Sequence, residues 1–167
     1  SIGTVSHLPV LRLAPVKENR NNCPFLTGDR CAIHDAEPLV CALYPLAQEI
    51  SRKGQVSYFL QPTGCGGQVI EARVEDYLAR YDVPAREQTD VRWAQTCMTL
   101  EDTVEQLEAL LSPVLVRRMQ DKLWQALYFS YDYAAPFLPQ LEKKLHWLDA
   151  EFAKLTEYQQ KRNNTSK

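Results

Sequence analysis

Apolar residues change their spacing once along this chain, near residue 69. Beyond it they recur at threes and fours, the period of a helix with one buried face. Ile70, Val74, Tyr77, Leu78 and Tyr81 predict a helix from Val69 to about Tyr81, which Asp82-Val83-Pro84 stops. A second helix is predicted from about Ala85, with Val91, Trp93, Cys97, Leu100, Val104, Leu107 and Leu111 as its stripe. Ser112-Pro113 reads as an N-cap followed by proline at the first helical position. The third helix carries Leu115, Met119, Leu123, Ala126 and Leu127. An aromatic connector follows from Tyr128 to Ala135, and Pro136 opens a last helix striped by Leu141, Leu145, Leu148, Phe152 and Leu155. Residues 163–167 are polar and are expected to fray.

Before residue 69 the pattern is broken. Prolines stand at 9, 15, 24, 38, 45 and 62, and glycines at 3, 28, 54, 64, 66 and 67. Leu8–Leu13 and Val56–Leu60 read as short extended pieces. The stretch from Pro38 to Ile50 reads as a short helix entered after Glu37, with Pro45 breaking or kinking it. The expected fold is mainly α: an irregular N-terminal module with short strands, packed on about four helices. Residues 1–67 form the module, 68–160 the helical body and 161–167 a polar tail. The leucine and aromatic stripes are core rather than cofactor boxes. A seam of this length also suits a homodimer.

Composition removes several classes. The chain has 167 residues, 45% of them apolar, enough for one folded domain or a module plus a helical body. The net charge of −2 gives no basic face for nucleic acid. No apolar run approaches the roughly 18 residues of a membrane span, and no signal peptide is visible. Arg117-Arg118 and Lys143-Lys144 read as solvated helix faces and nothing more. No Gly-x-Ser-x-Gly element is present, and no glycine-rich loop joins a strand to a helix, so neither a serine triad nor a phosphate cradle is supported. His7 and His146 have no chemistry beside them.

What remains is cysteine. Four of the five lie in the first 65 residues: Cys23, Cys31, Cys41 and Cys65. Each sits in turn chemistry: Cys23-Pro24, Gly28-Asp29-Arg30-Cys31, Pro38 before Cys41, and Gly64-Cys65-Gly66-Gly67. A segment with so few backbone ladders needs staples, and thiolates gathered by irregular backbone suit a soft metal or an iron–sulfur cluster. An odd cysteine count argues against full disulfide pairing, and a chain of this size does not need it. A reducing cytoplasm with metal-bound thiolates is therefore favoured over a disulfide-stapled secreted domain. Cys23, Cys31, Cys41 and Cys65 are the expected ligands. Cys97, on the helical stripe between Trp93 and Leu100, reads as core. The spacing is not that of a zinc ribbon, and its uneven loops favour a cluster, with zinc as the alternative. His34 reads as a capping or solvent-facing residue rather than a ligand, because no second histidine stands at ligand spacing. Asp29 and Arg30 read as turn residues. Tyr44, Tyr58, Phe59 and Tyr128–Tyr133 read as ordinary packing rather than a dry shell around a cluster.

The words between the cysteines add a likeness. Cys23-Pro24-Phe25-Leu26, then Cys31-Ala32-Ile33-His34, then Pro38-Leu39-Val40-Cys41-Ala42-Leu43-Tyr44-Pro45 strongly resemble the YkgJ-type cysteine-cluster family, described as zinc- or iron-chelating proteins. Cys65 matches a further family cysteine. The likeness continues weakly through Glu75-Asp76-Tyr77-Leu78, Tyr131-Asp132 and Phe137-Leu138-Pro139-Gln140. It implies a metal or iron–sulfur site. One departure stands out: the family's upstream Cys-x-x-Cys-x-x-Cys-Cys element is absent, and no cysteine precedes Cys23. Either an upstream segment has been lost, which the opening at Ser1-Ile2-Gly3 without methionine favours, or this member lacks the element. Three functions stand side by side. The first is iron–sulfur binding by the N-terminal cysteines, with redox or protein partners unnamed. The second is a structural zinc module with a helical interaction or dimer surface. The third is a cluster-dependent methyltransferase or redox enzyme, because a related pattern occurs in flagellin lysine methylases.

Overall fold

The computed structural model describes residues 2–5, 7–11, 23–28, 30–36, 38–62, 73–80 and 82–165. The chain is mainly α, as its helical period predicts. In order, its elements are β1 (Ile2–Val5), β2 (Leu8–Leu11), β3 (Leu26–Thr27), β4 (Arg30–Cys31), a 3-10 turn at His34–Ala36, α1 (Leu39–Ala42), β5 (Leu46–Ile50), β6 (Val56–Leu60), α2 (Val74–Ala79), α3 (Val83–Leu110), α4 (Pro113–Tyr128) and α5 (Phe137–Thr165). Contacts part the chain into two compact units, Leu13–Gln95 and a second made of Ile2–Arg12 with Thr96–Lys167. The border falls inside α3, whereas composition changes at 67/68.

In the first unit, β5 and β6 form an antiparallel hairpin in register from Leu46↔Leu60 to Ile50↔Val56. This corrects the helix read over Pro38–Ile50. Helix survives only at Leu39–Ala42, and beyond Pro45 the chain is extended. Proline lacks the N–H that would continue α1, and Val56–Leu60 offers Leu46–Ile50 a partner strand. Gly54 turns the hairpin with φ +76, and a Cβ there would meet Val91 Cγ1 at 3.1 Å, so glycine lets the turn lie against α3. Gln95 on α3 donates to the Arg52 carbonyl at 3.3 Å. The Tyr77 hydroxyl of α2 reaches the carbonyls of Tyr44 (2.7 Å) and Ala42 (3.2 Å), fixing the exit of α1. α2 is shorter than the stripe suggests; Ile70 and Tyr81 lie outside the described residues. α3 starts at Val83 with Pro84 in its first turn, where no helical hydrogen bond is lost. The buried apolar residues described in this unit are Ala42, Leu43 and Val83.

The second unit holds most of the core. On α4, Leu115, Met119, Leu123, Ala126 and Leu127 are buried, and α4 packs on α5, which buries Leu141, Leu148 and Phe152. Leu100, Val104 and Leu111 add to it. These seam residues are covered within their own chain. Lys122 of α4 pairs with Glu151 of α5 at 2.8 Å. β1 and β2 form a hairpin, Ile2↔Leu11 to Val5↔Leu8, with His7 at φ 66 in its turn. It is tied to the helices: Gln120 donates to the His7 carbonyl (2.9 Å), Tyr128 to the Pro9 carbonyl (3.0 Å), and His7 Nδ1 lies 2.6 Å from the Glu108 carboxylate.

Two local expectations change. Ser112 does precede Pro113 at the start of α4, but its side chain makes no capping bond, and its hydroxyl is buried without a partner. Its N–H instead donates to Gln159 Oε1 at 3.1 Å, from α5. The tail from 161 is helical as far as Thr165. Pairs one turn apart carry it: Lys161–Glu157 at 2.7 Å, Gln159–Asn163 at 2.9 Å, and the Thr165 hydroxyl on the Lys161 carbonyl.

Candidate functional site

The cysteine segment is built from turns. Leu26 N–H donates to the Cys23 carbonyl at 3.1 Å, closing a turn over Cys23-Pro24-Phe25-Leu26. β3 then pairs with β4 so that Leu26 faces Cys31 and Thr27 faces Arg30. Gly28 makes the reversal possible at φ +64, a backbone conformation that disfavours any side chain. Ala32 N–H closes back on the Phe25 carbonyl at 2.8 Å. One turn and one two-residue ladder therefore place the Cys23 and Cys31 backbones in one small loop cluster. Cys41 follows on α1, its N–H held by the Pro38 carbonyl at 2.8 Å.

Cys23, Cys31 and Cys41 are all exposed. Their chemistry fits a soft metal, but their geometry falls short of a site. Among the described residues, no group of three or more His, Cys, Asp or Glu side chains could hold a metal ion. Cys65 lies outside the described residues. His34 is exposed in its 3-10 turn, and Arg30 is exposed on β4; Asp29 lies outside the described residues. Cys97 differs in kind. It is half-buried on α3, and burial, then the Glu101 carboxylate, push its thiol up to about 11. At neutral pH it is a protonated thiol, unlike the thiolate a metal requires.

A polar cluster in the first unit joins the β5–β6 hairpin to α3. Gln48 Nε2 donates to the Tyr58 hydroxyl at 3.0 Å, and that hydroxyl points on to Glu87 Oε2 at 3.5 Å. Burial raises the Tyr58 pKa, and the Glu87 and Asp90 carboxylates add to the rise. Asp90 is also raised, first by burial, against the opposing pull of Arg86 and a hydrogen bond from Gln48. Its Oδ2 is buried without a hydrogen bond.

The second unit carries an open cleft of about 790 Å³ where α4, the connector and α5 meet. Trp124, Phe129, Trp147, Gln125, Lys143 and Lys144 line it, with Ala126, Ser130 and Gln140. Gln140 organises the connector: its carbonyl accepts Asp132 N–H at 2.8 Å, and its amide donates to the carbonyls of Asp132, Ala135 and Pro136. Lys144 is more than a solvated charge. Its ammonium donates to the Phe129 carbonyl at 2.6 Å and stands 4.6 Å from the Tyr131 ring centre, and burial lowers its pKa. Arg117 and Arg118 are exposed, in keeping with solvated faces. The sequence signal for the cleft was present: tryptophans on both sides of an aromatic connector, and a lysine pair one turn before the second of them.

No family model, curated protein or solved structure matches the chain. Among the described residues no helix is long and apolar enough to cross a membrane.

Proposed function

We propose that the N-terminal unit binds a metal through cysteine thiolates, an iron–sulfur cluster in the first place and zinc in the second. The observation that supports this is the contrast, among the described residues, between few buried apolar side chains and an exposed set of thiols. Ala42, Leu43 and Val83 are the buried apolar residues described there, while Val40, Tyr44, Phe59 and Leu60 around the Cys41 and hairpin region are exposed. A segment whose described residues bury so few apolar side chains gains order from a cross-link, and a metal bound only by the folded form supplies one. Cys23, Cys31 and Cys41 are the described donors, and Cys65 is the fourth by its sequence setting. Because no three of the described donors form a group able to hold a metal, binding draws the ligands together, coupling metal uptake to ordering of the loops. The reading also implies a reducing, cytoplasmic setting. It agrees with the likeness of the Cys23–Pro45 words to the cysteine-cluster family.

The test is anaerobic reconstitution of the full chain, with iron, sulfide and zinc counted per chain. Iron and sulfide in cluster ratio, with visible absorbance, are expected. Replacing Cys23, Cys31 or Cys41 by serine should each cut the metal retained, whereas Cys97→Ser should leave it unchanged. Stoichiometric zinc without sulfide would replace the cluster by a structural ion. No retained metal, or equal retention by all four variants, would end the proposal.

A further inference from the structure

The cleft of the second unit has a chemistry independent of the metal reading. Its walls are aromatic. Trp124 is held by Tyr128, ring centres 4.9 Å apart, and by Phe129, 5.5 Å away and edge-on. Trp147 carries the Lys122 ammonium 5.2 Å from its ring centre, and that ammonium is itself paired with Glu151. Both rings are thus positioned by neighbours rather than by a ligand. Phe129 and Trp147 remain 48% and 38% exposed, so apolar ring surface is left unburied in a concave place.

The polar groups of the cleft are one-sided. No aspartate or glutamate is among its nine lining residues, while two lysines are. Lys144 is occupied by the Phe129 carbonyl, where it also neutralises the carbonyl end of α4. Lys143 is exposed and has no hydrogen bond or ion pair with any described residue, and neither has the Gln125 amide. The lining therefore offers a free cation and a free amide beside tilted and edge-on aromatic walls, with no acid among the lining residues. A volume of about 790 Å³ is that of a small-molecule site.

We infer that this cleft binds a planar aromatic acid, its ring lying among Trp124, Phe129 and Trp147 and its carboxylate meeting Lys143. Aromatic packing supplies the apolar contact, and a charge-assisted hydrogen bond fixes the orientation. Naphthalene-2-carboxylate is a suitable probe, with naphthalene-2-methanol as its neutral counterpart.

The experiment follows the three indole N–H signals of the full ¹⁵N-labelled chain by NMR during titration, each assigned from a single Trp→Phe variant. The expected result is saturable movement of the Trp124 and Trp147 signals while that of Trp93, in the other unit, stays still. Lys143→Gln should weaken the acid about tenfold and leave the alcohol unchanged, as loss of one charged hydrogen bond requires. Phe129→Ala should weaken both probes. Lys143 and Phe129 lie outside the buried core, and an unchanged spectrum elsewhere will show that each variant folds. No saturable shift at millimolar probe, equal movement of Trp93, or equal affinity for acid and alcohol would each overturn the inference.

Discussion

Thr96 is 3% exposed, and its hydroxyl has no hydrogen-bond partner. A buried unpaired hydroxyl is a cost that an apolar side chain of like shape removes. Thr96→Val should therefore stabilise the fold by about 1 kcal/mol, read as a rise in the urea midpoint; a fall would show that the hydroxyl has a partner in solution. Asp90 makes a prediction about pH. Its pKa is raised in the fold, chiefly by burial, so the native state favours the protonated acid. Stability from this residue is then greatest below the ordinary aspartate range and declines as pH climbs through that range to the raised native value. Asp90→Asn removes the decline. Denaturation at acidic and neutral pH should show the variant's relative stability growing toward neutrality, and a constant difference would exclude the mechanism. Glu151 has the opposite sign: hydrogen bonds from Lys122 and then Lys154 lower its pKa, so its contribution is present above the ordinary glutamate range and is lost as pH falls through the lowered value.

At the scale of elements, α4 shows how directly apolar spacing can be read. Its stripe of Leu115, Met119, Leu123, Ala126 and Leu127 is the buried set of the helix. Leu123, fully buried, should cost about 2–5 kcal/mol when cut to alanine, measured by urea unfolding of the second unit. Loss of less than half of that would mean that α5 closes over the cavity. β5 was not legible in the same way. Leu46-Ala47-Gln48-Glu49-Ile50 has no strong strand residues except at its end, and only pairing with Val56–Leu60 makes it a strand. The last turn of α5 was hidden by its polarity, because the side-chain pairs one turn apart that hold it leave no apolar stripe. The cysteines could be read as candidate donors but not as geometry. Turn residues say that a thiol is exposed, and they do not say which thiols meet. The cleft was obscured for another reason: Lys143-Lys144 has the composition of any solvated face, and only the turn at Phe129–Ser130 brings Lys144 onto a carbonyl.

At the scale of the molecule, the two units differ in what holds them. Among the described residues, the second has an apolar core shared by α4 and α5; the first has a few buried side chains, hairpins and polar links to α3. Hydrogen exchange of the metal-free chain should therefore proceed faster at the β5–β6 hairpin than in α4 and in α5 near Leu148, since exposed ladders with little buried surface open locally. Metal loading should slow exchange around Cys23–Cys41 and leave α4 unchanged. Equal protection in both units before loading would argue that the first is self-sufficient.

The hairpin of residues 2–11 belongs with the C-terminal helices, although the whole cysteine-bearing unit lies between them in the chain. In the language of chain topology, that unit is an insertion whose two ends are both held by a folded host. Such a host shortens the conformational search of what it encloses, because loop closure is already achieved when the enclosed part begins to order. The insert can then open and refold without the chain losing its connections, a freedom that a terminal appendage with one loose end does not share.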